Sequence, residues 1–155
     1  MRLFKTRIRG LLLAAASIGA VFVATGTAAH AEALRDKWCK GTKIRFFDGG
    51  AEGDAFGSIV YNGAKQAALD TGADVEYVFS GWQLEKMVQQ LREAVASKPA
   101  GIAMMGHPGP AAIMPLAEEA AAAGIKMEYQ NVDVPEVRAK FGGGYVGANL
   151  EPQGR

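Results

Sequence analysis

The residues able to do chemistry in this chain are few, and they sit in short polar stretches. Asp48, Glu52 and Asp54 lie in the run Asp48-Gly-Gly-Ala-Glu-Gly-Asp54, with Phe56 just beyond it. His107 stands beside Pro108 and Gly109, and Gln130, Asn131 and Asp133 form a third group. Carboxylates and amides accept and donate hydrogen bonds to hydroxyl groups. An aromatic ring covers the C–H face of a pyranose or furanose. Together these types suit a neutral polyhydroxyl ligand, with Phe56 as the candidate ring. Ordinary packing between a helix and a sheet is the other reading of Phe56.

Other chemistries fit poorly. The glycines after Asp48 are spaced GGxxG rather than GxGxxG, and no GK[ST] follows. Three acids in that loop would repel a pyrophosphate, and Phe79-Ser80 stands where a dinucleotide site wants an acid. As a metal ligand His107 lacks companions, since the other histidine is His30 near the N-terminus. It also lacks a nucleophile to serve as general base, so it reads as a hydrogen-bonding loop histidine. No serine, cysteine or paired-acid arrangement looks catalytic, and neither a metal nor a cofactor is expected. Trp82 reads as a capping or packing residue, with a second stacking ring as the alternative. Turn-making is the other reading of the group at 130–133.

The elements that must position these residues alternate strand and helix. Lys43 to Phe47 reads as a strand, and Asp54 to Thr71 as a helix stopped by Gly72. Val75 to Phe79 is a second strand. Ser80-x-x-Gln83 has the form of a capping box, and Leu84, Met87, Val88, Leu91 and Val95 share one helical face after it. Gly101 to Met105 is a short apolar strand suited to a buried parallel position. Ala111 to Ala123 is a helix in which Pro115 predicts an irregular first turn, regular only from about Met114. Ile125 to Tyr129 is a fourth strand, Asn131 to Phe141 a polar connection, and Gly143 to Val146 a fifth strand. Such repetition implies a doubly wound α/β domain, a parallel sheet with helices on both faces. Ligands then sit beyond the carboxyl ends of the strands, at loops 48–56, 106–109, 130–135 and 147–149. The loop Ser80–Trp82 is expected toward an edge.

The N-terminus reads as an address. Arg2, Lys5, Arg7 and Arg9 precede an apolar run from Leu11 to Val23, short of the roughly 20 residues a membrane anchor needs. Ala29-His30-Ala31 is a small-x-small cleavage triplet. A signal peptide over residues 1–31 is expected, cut after Ala31 with Ala33 as a second choice, then a mature arm over 32–42. Export to the periplasm follows, with no membrane insertion after cleavage. Removing the four basic leader residues leaves 13 basic and 16 acidic side chains, a net charge of −3, which argues against nucleic acid as a partner. Cys39 is the sole cysteine. It reads either as a tolerated thiol or as one with a partner in another chain.

Over residues 43–155 the chain resembles the substrate-binding proteins of bacterial ABC sugar importers, ribose-binding type, a type I periplasmic binding protein family. The resemblance rests on the leader and on Asp54-x-Phe56 before a helix containing Asn62-Gly63-Ala64. It also rests on Lys98-Pro-Ala-Gly-Ile102, on Leu116 to Ile125, and on Tyr145-Val-Gly-Ala-Asn149 followed by Gly154. It implies a two-lobed clamshell that binds sugar or a sugar-like polyol between lobes and passes it, unaltered, to ABC permease subunits. A sensing subunit for a receptor and a secreted α/β enzyme are the alternatives. Asp54 matches a polar contact to sugar hydroxyls and Phe56 a stacking ring. Gly57 stands where some members carry a second aromatic. Asn131, or else Asp133, matches the acidic contact after the fourth strand, and His107 lies in a loop lining the cleft. The loop ending in Asn149 is both a candidate contact and the place where such chains first cross to the second lobe. Residues 43–155 are therefore expected to be a partial N-terminal lobe with an exposed sheet edge.

Overall fold

The computed structural model describes residues 37–148. Residues 1–36, which include the expected signal peptide and the start of the expected mature arm, and the segment from Asn149 onward lie outside the described residues. Within them the order is β1 (Lys43–Phe47), α1 (Ala55–Thr71), β2 (Asp74–Val78), α2 (Leu84–Ala96), β3 (Gly101–Met105), α3 (Pro110–Ala122), β4 (Lys126–Gln130), α4 (Pro135–Phe141) and β5 (Tyr145–Val146). The strands form one parallel sheet in the order β2-β1-β3-β4-β5. This is the doubly wound α/β architecture that the strand–helix alternation predicts.

One face of the sheet carries the core. Phe47, Ile102, Met104, Met127 and Tyr129 point to it and meet Met87, Leu91 and Val95 of α2, Ile113 and Leu116 of α3, and Val137 of α4. Each strand alternates sides, so Phe46, Tyr77, Ala103 and Glu128 fall on the other face. There α1 lies over β1 and β2. Its Tyr61 ring meets Tyr77 at 4.8 Å and Phe79 at 5.5 Å between centroids. This helix is thinly packed: Gly57 is its only buried residue, while Ile59 and Leu69 are exposed. Beside it runs an open groove lined by Phe46, Val60, Ala103, Glu128 and Val146.

Several local expectations are corrected. There is no capping box at α2: Gln83 is itself the cap, without a side-chain bond, and the Ser80 hydroxyl bonds Gln90 Oε1 at 2.7 Å instead. Gln83 is too close to the helix start to serve as the box's third residue. α3 is helical from Pro110, through Pro115. Both Pro115 and Ala111, whose carbonyl loses its partner, are exposed, so water replaces the missing bond. The stretch 131–141 is not wholly connection, because α4 forms within it. Pro135 at the first turn and the buried Val137 explain that short helix.

Candidate functional site

Parallel pairing keeps the carboxyl ends of the strands nearly level, with Phe47 opposite Val78 and Met105 opposite Gln130. The loops leaving those ends converge. Asp54 is the N-cap of α1. Its Oδ1 accepts from Gly57 N at 2.5 Å, and its Oδ2 from Ala51 N at 2.9 Å and Trp82 Nε1 at 3.1 Å. A carboxylate has about four acceptor positions, so one remains for a ligand hydroxyl. Phe56, 44 % exposed, lies two residues on, its ring 5.9 Å from that of Trp82. The Trp82 ring lies 5.5 Å from His107, edge to face.

Trp82 is the residue that the sequence reading undervalued. Its loop leaves the edge strand β2, as expected, and from there reaches inward over the loop after β1. Gly81 N donates to Gly50 O at 2.8 Å and Trp82 N to Gly49 O at 2.9 Å, which straps the loop after β2 onto the loop after β1. Gly49 has φ +86°, and a Cβ there would lie 2.5 Å from Met105 Sδ and 3.2 Å from Trp82 Cζ3. Only glycine leaves the indole room to lie over that backbone.

His107 is half-buried, and its Nδ1 is buried without a hydrogen-bond partner. Burial pushes its pKa below the usual histidine value, which favours the neutral imidazole at pH 7. Asn131 joins the site through Met105, its Nδ2 lying 3.7 Å from the Met105 sulfur. Its backbone is left-handed, φ 63°, a conformation asparagine tolerates better than most residues. The Asp133 backbone lies against Gly106, but its carboxylate is already engaged. Arg138 holds it through two bonds of 2.7 and 2.8 Å. That contact, ahead of the Val134 amide, lowers its pKa. Asn149 lies outside the described residues. Gly57 is buried, and a Cβ on it would lie 2.3 Å from Asp48 Oδ2, so no aromatic side chain fits at that position.

Asp48 is fully buried beneath α1, and neither of its oxygens has a hydrogen-bond partner. Burial raises its pKa. The Gly50 amide pulls back without reaching hydrogen-bond geometry, and the Asp54 charge adds to the rise. The folded state therefore holds this proton more tightly than the unfolded chain does. Stability attributable to Asp48 should be greatest at acid pH and fall as pH climbs from the ordinary value of 3.8 through the raised one. Asp48→Asn should flatten that slope and raise the neutral-pH melting temperature, by on the order of 5 °C. Thermal unfolding from pH 4 to 8 measures both.

Among the described residues no group of three or more histidine, cysteine or acidic side chains could hold a metal ion. What the site offers is an open surface of rings and hydrogen-bonding groups.

No protein-family model matches the chain, and no curated protein matches it. Solved structures do. A carbohydrate transporter from Acidothermus cellulolyticus, in complex with myo-inositol, is 26 % identical, with a TM-score of 0.62 over 73 % of this chain and 39 % of its own. A periplasmic sugar-binding protein from Pseudomonas fluorescens is 20 % identical, with a TM-score of 0.60 over 73 % and 34 %. A 5-methylthioribose transporter solute binding protein from Thermotoga lettingae, in complex with 5-methylthioribose, is also 20 % identical, with a TM-score of 0.54 over 61 % and 30 %. The chain thus spans about a third of the length of these proteins.

Proposed function

From the premise that this chain has the lobe fold of the type I periplasmic binding proteins, we propose that it captures a sugar or sugar-like polyol in the periplasm. It delivers that ligand, chemically unchanged, to the permease subunits of an ABC importer. The signal peptide expected at residues 1–31 brings it there. The observation that carries the reading is the meeting, at the carboxyl end of a parallel sheet, of Phe56, Trp82 and His107 with an Asp54 carboxylate that keeps one free acceptor position. Rings for C–H faces beside acceptors for hydroxyls are what a neutral cyclic polyol requires. Asn131 extends the polar part of the site. Asn149 and Asp133 are the remaining contacts in this proposal, Asp133 only if it can share its carboxylate with Arg138.

The test is a thermal-shift screen of the exported protein, purified from its host, against pentoses, hexoses, inositols and linear polyols. A ligand at 100 times its dissociation constant should stabilise the fold by about 2.7 kcal/mol. A shift confined to one sugar class supports the proposal and names the ligand. A folded protein that responds to none of them rules out carbohydrate capture.

A further inference from the structure

Trp82 donates its indole N–H to Asp54 Oδ2, but that bond does not account for its exposure or for its backbone conformation. It does not cap α2, where Gln83 is the cap. It does not belong to the core, since its side chain remains 41 % exposed. Its backbone has φ 60°, a left-handed conformation disfavoured for residues with a Cβ and seldom seen for bulky ones. Tryptophan has no short polar side chain of the kind that eases asparagine into this region. Strained backbone of this sort persists where the surrounding structure enforces it, and it clusters at binding sites. Here the enforcement is visible in the two backbone bonds to Gly49 and Gly50 and in the space left by Gly49.

We infer that Trp82 is a ligand-stacking residue of this site and that it selects cyclic over open-chain polyols. The inference rests on the carbohydrate reading above, in which Trp82 is one of the rings, and adds to it a specific stacking role for that ring and a selectivity. The indole N–H is fixed to Asp54 Oδ2, so the ring and the acceptor form one unit. Phe56 stands beside it, its ring centroid 5.9 Å away and the two ring planes 52° apart. A ring-shaped polyol lays a rigid C–H face on the indole while an edge hydroxyl reaches the free acceptor position of Asp54. An open-chain polyol presents such a face only by freezing several rotatable bonds, which weakens its binding.

The experiment is calorimetric titration of the exported protein and its Trp82→Phe, Trp82→Leu and Trp82→Ala variants with myo-inositol, D-ribose, D-glucose and glucitol. The wild type is expected to bind at least one cyclic member and to prefer it to glucitol. Trp82→Ala should weaken that cyclic ligand by about tenfold and narrow the preference over glucitol. Trp82→Phe, which keeps a ring but loses the N–H, should stay within about threefold of wild type. If Trp82→Ala does not fold, Trp82→Leu, apolar but not flat, takes its place. Equal losses in the Phe and Ala variants would overturn stacking, because the bond to Asp54 would then be the whole effect. So would an Ala or Leu variant that binds like wild type. A wild type that binds none of the panel fails the carbohydrate reading, and this inference with it.

Discussion

Asp54→Ala is expected to lower the melting temperature and the ligand affinity together. The carboxylate caps α1 through Gly57 N and also accepts from Ala51 N and Trp82 Nε1. Loss of an N-cap costs about 1 kcal/mol, on the order of 4–8 °C in a domain of this size. Loss of a charged acceptor for a ligand hydroxyl costs about 1.5–3 kcal/mol, a weakening of roughly tenfold to a hundredfold. Removal of this charge also relieves Asp48, whose pKa it helps to raise, so the stability loss should fall at the low end. Asp54→Asn separates the cap from the other bonds. Asparagine caps a helix as well as aspartate does, but its single oxygen can keep the Gly57 N bond only by turning its amide N–H2 toward Ala51 N and Trp82 Nε1, which donate to Oδ2 in the wild type. The Asn variant should therefore melt below wild type and bind weakly. Calorimetry with myo-inositol and D-ribose checks affinity, and thermal unfolding checks stability. An Ala variant that binds like wild type would remove Asp54 from the contacts.

The polypeptide 32–155, expressed by itself, is expected to unfold over a broad range and to bind hydrophobic dyes. The reason is the uneven coverage of the sheet. Three helices bury Met87, Leu91, Ile113, Leu116 and Val137 on one face. On the other, α1 buries only Gly57, Ile59 and Leu69 stand exposed, and the open groove leaves Val146 exposed at its rim. Burial of apolar area is the main stabilising term, about 25 cal/mol per Å², so a face left half-covered forgoes much of it. β5, only two residues long, ends the sheet without a further partner among the described residues. Denaturant unfolding with dye binding measures the outcome. A sharp two-state transition with about 5–15 kcal/mol of stability would contradict it.

Much of the fold is legible in the residues. The apolar run GIAMM and the face from Met87 to Val95 specify a buried strand and its covering helix, because parallel sheets and amphipathic helices leave these patterns. Gly72 marks the end of α1, where it adopts φ 77°. Less legible was anything set between loops. Trp82 belongs to the site because glycines in two different loops let their backbones meet, and no local pattern records such a pairing. The pairing of Asp133 with Arg138 depends on α4, a helix too short to show a clear period. Asp48 reads as one more loop acid, and only packing makes it a buried carboxyl.

The strand order has a consequence for timing. β1 is an interior strand, yet it is made first, and it gains β2 on one side before β3 closes the other. From β3 onward each new strand docks on the one before it, so the sheet can grow outward in the direction of synthesis. The pairing of Ile44 with Gly101 closes the longest loop between neighbouring strands, and loop closure of that kind sets the pace of folding. Truncating Phe47 or Ile102 should therefore slow refolding, while changes in β5 should mainly hasten unfolding.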